Sequence, residues 1–273
     1  MKVQEFAKTI LYGPGLEDKL LSSSLITDFT SFKKTVIPDA PARSSDIAFC
    51  EKQIKFPKAS HFEDEKKRAL ALHFFANHEL LAIELMAAAI LAFDTTDESS
   101  ERLVRGLVQT IKDEQKHLQL YIHRMKQMGI QFGELPLNQF FWNLFVKVKG
   151  IEEFFALMAL TLEAANLDFC CYYQKIFRDH GDLASADLLN IVYEDEITHV
   201  ALGVNWLNRW RGDRTMWDYY VSLLPEKVTP ARGKGKTFDH EGRLKSGLDS
   251  HFVESSRNYR DNFVVTQRKE WKS

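Results

Sequence analysis

The sequence has little of what marks several familiar classes of protein. Its 273 residues include three cysteines, Cys50, Cys170 and Cys171, an odd number too small for a disulfide framework. Its 36 basic and 38 acidic residues leave a formal charge of -2, so no large positive field attracts nucleic acid. The first fifteen residues include Glu5 and hold no sustained apolar core. We therefore expect neither a disulfide scaffold, nor a polyelectrolyte, nor a secretory signal.

Long apolar runs and strand signals are equally scarce. The best candidate for a membrane span, Leu80 to Phe93, is interrupted by Glu84 and falls short of the roughly 20 apolar residues that a span needs. No alternating runs of Val, Ile and Thr bounded by Asn-Gly or Asp-Gly turns occur. The 45% hydrophobic content is nevertheless that of a chain that buries a core. We expect a cytoplasmic, all-α protein with no membrane partner.

Apolar residues at helical spacing predict four long helices, at residues 63–93, 97–129, 151–180 and 183–211. Ser60 and Glu63 have the spacing of a capping box before the first helix, and Gly181 and Asp182 predict a stop and a new N-cap between the last two. Short turns join the first helix to the second and the third to the fourth, so each pair is expected to be an antiparallel hairpin. Roughly twenty residues connect the hairpins, which is long enough for the single crossover of one class of four-helix bundle.

The chain is expected to have three parts. Residues 1–62 form a short helix around Gly15 to Ser24 and an irregular strap, and residues 63–211 form the bundle. Residues 212–273 form a helical extension that packs on the bundle. Within the extension we expect an aromatic helix near Met216 to Leu224, then a flexible stretch with Pro230, Gly233 and Gly235.

Two matching segments carry the predicted chemistry. Residues 113–120 read DEQKHLQL and residues 195–202 read DEITHVAL, so both contain DExxH followed by an aliphatic residue. A Glu and a His three residues apart lie on one face of a helix and can bind one metal ion together. A single ExxH is usually a solvated polar pair, whereas two copies at matching places in two hairpins favour a metal site.

The other two helices should each supply a carboxylate at a corresponding position. Glu79 and Glu163 fit this role, and each has a second acid five residues later, Glu84 and Asp168. Helical phase places Glu79 on the apolar stripe and Glu84 about 140° away, facing outward or toward the N-terminal strap. We choose Glu79 as the ligand. Glu84 and Asp168 are interpreted as structural hydrogen-bonding acids, with a ligand role as the alternative.

Charge balance explains why these residues belong together. Four buried carboxylates repel one another and lose hydration, whereas two divalent cations neutralise them. Oxygen-rich ligation with one imidazole per metal suits iron or manganese better than structural zinc. We expect two iron ions, with Mn/Fe or Mn/Mn pairs as alternatives. The predicted ligands are Glu79, Glu114, His117, Glu163, Glu196 and His199.

Several neighbours have predicted supporting roles. A histidine ligand normally donates its other ring N–H to a carboxylate or carbonyl, so Asp113 is expected to serve His199 and Asp195 to serve His117. The alternative is that both aspartates are solvated helix acids. Tyr121, one turn after His117, is a candidate oxidisable or hydrogen-bonding tyrosine, or simply a packed one.

The predicted helix at residues 183–211 has a glycine, Gly203, where the predicted helix at residues 97–129 has Tyr121, which suggests space for a substrate. The remaining histidines of the long helices have no partner in the repeat, and we interpret them as structural or surface residues. These are His73, His78, His123 and His180.

The ordered set of Glu79, the two ExxH pairs and Glu163 resembles the ferritin-like di-iron carboxylate superfamily. That superfamily includes ferritins, rubrerythrins, the small subunit of class I ribonucleotide reductase and acyl desaturases. Over most of its length the chain is similar to a group of bacterial ferritin-like proteins of unknown function. The segments that carry this similarity include PDAPAR at 38–43, HELLAIELMAAAILAF at 78–93 and YEDEITHVALG at 193–203.

The resemblance implies a ferritin-like bundle whose iron pair activates dioxygen and oxidises or hydroxylates a small-molecule substrate. No Gly-rich nucleotide motif is present, so electrons are expected from a separate reductase. One alternative is an iron-handling protein that oxidises Fe(II) without an organic substrate. Another is a tRNA-modifying hydroxylase, for which the 14 basic and 9 acidic residues from Trp206 onward form a modest basic patch that includes Arg232, Lys234 and Lys236. A homodimer is left open.

Overall fold

The computed structural model describes residues 1–29, 34–93 and 100–266, and within them the chain is all-α, as predicted. Strand-like pairing in these ranges consists of isolated bridges, Lys2 with Asp28 and Phe49 with Leu137. The helices are α1 (Val3–Tyr12), α2 (Leu16–Lys19), α3 (Glu65–Ala92), α4 (Ser100–Gln127), α5 (Phe140–Phe145), α6 (Ile151–Leu157), α7 (Ala164–Asp179), α8 (Leu183–Trp210), α9 (Met216–Leu223), α10 (His240–Lys245), α11 (Ser250–Asn258) and α12 (Phe263–Thr266).

The chain divides into two compact units. The first consists of Met1–Val146 and Ile176–Leu188, and the second of Lys147–Lys175 and Leu189–Ser273, within the described ranges. Each unit contains one of the two DExxH segments.

The long helices of the first unit lie close to their predicted bounds. α3 begins after Asp64, whose carboxylate accepts a hydrogen bond from the Lys66 N–H. The predicted capping box at Ser60 is therefore wrong, because Ser60 lies in a separate single turn of 3₁₀ helix, Ala59–His61. α4 ends before Gly129, which has φ of 78° and so adopts the left-handed conformation that commonly terminates a helix. Residues 97–99, the predicted start of this helix, lie outside the described residues.

Two helical stretches are long and apolar enough to span a membrane, Glu65–Ala92 and Ile151–Asp179. In each, 83% of the apolar window is buried inside the protein. A helix that is apolar on all sides and enclosed in this way is typical of the core of a globular domain. The cytoplasmic location remains a prediction.

A helix that the sequence reading did not predict begins the chain. α1 packs on α3 through an apolar face that includes Phe6, Ile10 and Leu11. The helix expected around residues 15–24 is shorter, with α2 followed by a 3₁₀ turn at Ser23–Leu25. Gln115 of α4 donates hydrogen bonds to the carbonyls of Lys19, the last residue of α2, and of Leu21, which lies between α2 and the 3₁₀ turn. The N-terminal segment is therefore fastened to both long helices of the first unit.

The third predicted helix is interrupted in the second unit. A π-helical turn, Met158–Glu163, separates α6 from α7. A π turn contains one residue more than the corresponding α-helical turn, and such turns are rare and frequent at functional sites. Sequence periodicity did not indicate it.

α7 and α8 run antiparallel. The residues 180–182 join them, and Asn166 early in α7 donates a 3.0 Å hydrogen bond to Glu196 in the second half of α8. Gly181 has φ of 75°, and Asp182 accepts from the Ser185 N–H at 3.0 Å, so the predicted stop and N-cap are both confirmed.

The stretch around residues 230–235, which was expected to be flexible, is held in place by hydrogen bonds. The Gly235 N–H donates to Asp168 at 2.7 Å, and the Gly233 carbonyl accepts from Arg243 at 2.9 Å. The ammonium of Lys234 donates to three carbonyls, those of residues 256, 257 and 259, at 2.8 to 2.9 Å. Glycine and proline here permit close backbone packing, which composition alone does not distinguish from flexibility.

A buried ion pair anchors this C-terminal segment. Arg243 and Asp168 are both fully buried, and the guanidinium meets the carboxylate with both terminal nitrogens, at 2.6 and 3.1 Å. Backbone N–H groups of Gly235 and Asp239 also donate to the carboxylate. Asp168 is therefore bound by one side chain and two backbone groups of this segment.

Replacing Arg243 by Met is expected to lower the free energy of unfolding by about 3–5 kcal/mol, because Asp168 would keep its burial and lose its counter-ion. Denaturant unfolding measures this loss. Arg178→Met is the matched control, since its ion pair with Asp187 is exposed and is expected to contribute about 1 kcal/mol or less. Equal losses in the two variants would contradict the assignment.

Candidate metal centre

The first unit brings three of the predicted ligands together. Ligand atoms of Glu79 on α3 and of Glu114 and His117 on α4 lie within 4.8 Å of one another. Each of the three side chains is at most 3% exposed. We call these residues the first ligand cluster.

The second unit repeats this arrangement with the matching residues. Ligand atoms of Glu163, Glu196 and His199 lie within 4.8 Å of one another, and these side chains are also at most 3% exposed. Glu163 is the last residue of the π turn, whereas Glu79 lies inside the uninterrupted α3. We call these residues the second ligand cluster.

The two ExxH pairs have the same internal geometry. His117 Nδ1 lies 3.2 Å from Glu114 Oε2, and His199 Nδ1 lies 3.3 Å from Glu196 Oε2. In both pairs Nδ1 is thus the ring nitrogen that faces the carboxylate of the preceding turn. A cation bound by the glutamate would meet Nδ1, which leaves the Nε2 position to carry the proton.

The donor set of each cluster fits a divalent cation. Two carboxylates and one imidazole are enclosed at a buried position, where ionised carboxylates lose most of their hydration. One divalent cation per cluster would balance the charge of its two glutamates. Buried charges are normally paired or bound to metal, so each cluster is a candidate metal-binding group.

Asn166 is a functional candidate that the sequence reading missed. Its side-chain amide donates to Glu196 Oε1 and so fixes the orientation of one carboxylate of the second cluster. Its counterpart in the pseudo-repeat, three residues after Glu79, is Ala82. The difference between an amide side chain at position 166 and a methyl group at position 82 could have been detected in the sequence.

Glu84 points toward the N-terminal segment, as its helical phase suggested. It is fully buried, and Arg43 donates to its two oxygens at 3.0 and 2.7 Å. Lys19 lies 3.2 Å from the same carboxylate and also donates to two backbone carbonyls. Burial lowers the pKa of Lys19, although Glu84 counteracts this effect. Glu84 therefore has the hydrogen-bonding role that Asp168 has with Arg243 in the second unit.

The predicted partners of the histidine ligands remain predictions. Asp113 is half-buried and accepts from the Gln109 amide at 3.0 and 3.1 Å. Asp195 is also half-buried. Tyr121 is buried, with its ring centre 5.8 Å from that of Phe75, and its redox role is likewise a prediction.

The expected substrate space beside Gly203 is filled. A Cβ at this position would collide with the Cβ of Ala159 and approach Leu160 Cδ1 to 3.1 Å. The glycine therefore allows α8 to pack closely against the helix that contains Ala159. The prediction of an open space here is wrong, because the helix that contains Ala159 occupies the position that a side chain at residue 203 would take.

Two of the histidines interpreted as structural or surface residues, His73 and His78, have structural contacts. His73 accepts a 3.2 Å hydrogen bond from the Gly133 N–H, and the ring of His78 stacks 4.6 Å from that of Phe141. Burial lowers the pKa of both histidines to about 4, so both are neutral at pH 7. Lys234, part of the basic stretch considered for tRNA, is occupied by backbone carbonyls. The structure therefore offers no added support for tRNA binding there.

Comparison with known proteins assigns the chain to a family. Residues 9–254 match the model of a family described as a protein of unknown function, DUF455. The chain belongs to the DUF455 family. An uncharacterized protein of Haemophilus influenzae is 27% identical over 244 residues, which cover 85% of this DUF455 chain and 83% of the relative. No solved structure matches the chain.

The DUF455 match covers both ligand clusters and both buried arginines that hold the neighbouring acids, Arg43 and Arg243. The family description names no activity. Functional inference for this DUF455 protein therefore depends on its own side chains.

Neutral His73 makes stability depend on pH. Its pKa falls from 6.5 in a free chain to about 4 in the fold, chiefly by burial, so the unfolded chain binds the proton first on acidification. The contribution of neutral His73 to the free energy of unfolding is present above pH 6.5 and is lost as the pH falls toward 4. At about 1.4 kcal/mol per pKa unit, the loss amounts to up to about 3 kcal/mol.

We expect His73→Gln, which keeps an acceptor for the Gly133 N–H, to remove this part of the pH dependence. Urea unfolding at several pH values measures it. His123→Gln, at an exposed histidine, is the control and should retain the wild-type slope. An unchanged slope in His73→Gln would show that His73 is not held neutral.

Proposed function

We propose that this protein is a di-metal carboxylate protein, with iron as its preferred metal, that activates dioxygen to oxidise or hydroxylate an organic substrate. In this proposal α3, α4, α7 and α8 form a ferritin-like four-helix bundle, and the two ligand clusters together hold two metal ions. One observation carries the proposal: each unit by itself gathers two glutamates and one histidine at matching positions of an internal repeat. Two independent occurrences of the same donor set are difficult to explain as solvated helix acids.

The donor chemistry supports iron or manganese. Each cluster offers carboxylate oxygens and a single imidazole nitrogen, and no cysteine belongs to either. Such ligation suits Fe(II) and Mn(II), whereas structural zinc usually takes Cys and His in a closed tetrahedron. Four glutamate charges balance two divalent ions, so the buried ligands require no further cation.

When bound, a pair of ferrous ions would supply electrons and open coordination positions to dioxygen. The chain's own groups hold and shield those ions. The glutamates bind through oxygen, His117 and His199 offer Nδ1, and the Asn166 amide restrains one oxygen of Glu196. Because the cluster side chains are almost fully buried, bulk water is kept from the donors. In this proposal a separate reductase delivers the electrons.

Metal content tests the proposal directly. Protein produced in iron- and manganese-replete cells is expected to contain about two transition-metal ions per chain, measured by mass spectrometry of the elements. Glu114→Ala and His199→Ala should each lower this content, because each removes one donor of a cluster. Glu194→Ala, an exposed acid two residues before Glu196, should leave it unchanged. Wild-type protein without bound transition metal, or ligand variants that keep the full content, would overturn the proposal.

Repeated addition of Fe(II) separates substrate oxidation from iron handling. An oxygenase is expected to consume dioxygen only in proportion to its own bound iron when substrate and reductant are absent. Continued dioxygen uptake with every further addition of Fe(II), together with a cage of many subunits in size-exclusion chromatography, would instead indicate an iron-handling protein.

A further inference from the structure

The two ligand clusters differ in the backbone that presents one glutamate. Glu79 lies within a continuous α-helix, while Glu163 ends the π turn Met158–Glu163. An α-helix turns about 100° per residue, so one additional residue rotates all later side chains by about that angle. The direction in which Glu163 points therefore depends on where the extra residue is accommodated.

Two hydrogen bonds hold the turn just before Glu163, and one of them comes from the C-terminal extension. The Thr161 hydroxyl donates to the Ala156 carbonyl at 2.8 Å, and it lies 2.9 Å from the hydroxyl of Tyr220 on α9. Since the Thr161 proton is used for Ala156, the Tyr220 hydroxyl is the donor in the second bond. Both side chains are at most 1% exposed.

A second contact fastens the backbone just after Glu163. Arg243 donates to the Ala164 carbonyl at 2.9 Å while it pairs with Asp168. The backbone of Gly233 packs on the turn itself, where a Cβ would lie 3.2 Å from the Leu160 carbonyl oxygen. Glu163 is thus bracketed by fixed points at positions 161 and 164.

We propose that the C-terminal segment, residues 216–243, fixes the register of the π turn and thereby positions Glu163 to complete the second ligand cluster. Thr161, Tyr220 and Arg243 are positioning residues in this proposal. A sequence such as MALTLE has no intrinsic reason to form a π turn, so the register comes from these distant contacts. The proposal rests on the metal-binding function proposed above and assigns a specific task to the C-terminal extension.

Thr161→Val tests it, because valine keeps the shape of threonine and removes the hydroxyl. We expect metal affinity at one of the two sites to fall by about 10- to 100-fold, the usual effect of losing a group that orients a ligand. Thr161→Ser keeps the hydroxyl and should retain wild-type affinity. Tyr220→Phe should weaken the same site. Tyr219→Phe is the matched control, because its hydroxyl bonds Glu152, outside the π turn.

Hydrogen exchange of the metal-free protein gives a readout that needs no metal. Amides of residues 158–164 should exchange faster in Thr161→Val and Tyr220→Phe than in the wild type, and at wild-type rates in Thr161→Ser and Tyr219→Phe. If Thr161→Val does not fold, Tyr220→Phe decides the question.

If the wild type binds metal, and Thr161→Val and Tyr220→Phe bind it with unchanged affinity, this inference is wrong and the proposed function still stands. Wild type without metal would overturn the proposed function instead. In that case amide hydrogen exchange of residues 158–164 still tests the register. Unchanged exchange in both variants would show that Thr161 and Tyr220 do not fix it, and faster exchange would support their role.

Discussion

The burial of carboxylates is the constraint on which the structure depends. Buried acids need a cation or several hydrogen-bond donors, because the free energy of hydration that they lose otherwise exceeds the free energy gained by packing. Basic side chains neutralise one set of buried acids: Arg43 and Lys19 form ion pairs with Glu84, and Arg243 forms one with Asp168. A second set is gathered instead with histidines, in two clusters of the same composition. The division separates acids that hold the fold from acids suited to hold metal.

The terminal segments follow from the same constraint. Glu79 on α3 and Glu163 in the π turn are each followed five residues later by a buried acid, and each of those acids binds an arginine from outside the long helices. The arginine comes from the N-terminal strap in one unit and from the C-terminal extension in the other. The extensions therefore neutralise the buried acid that follows a glutamate of each cluster. A chain cut to its long helices would leave both acids without these counter-ions.

Much of this could be predicted from the sequence because it depends on local periodicity. Helical spacing predicted the all-α class and the bounds of α3 and α8 to within a few residues, and the repeated ExxH spacing identified side chains that the structure does bring together within each unit. Features set by contacts between distant segments were missed. The π turn depends on Tyr220 and Arg243, well over fifty residues away, and Gly203 serves close helix packing, not an open space. The C-terminal stretch is rich in glycine because its backbone packs closely, and composition cannot show that.

An anomalous-scattering crystal structure recorded at the iron and manganese absorption edges would show whether the two clusters bind metal ions. We expect two peaks, one at Glu79, Glu114 and the Nδ1 atom of His117, the other at Glu163, Glu196 and the Nδ1 atom of His199, with Glu84 and Asp168 still bound to their arginines. Crystals of metal-replete protein with no peak at these residues, or with a peak at Glu84 or Asp168, would contradict it.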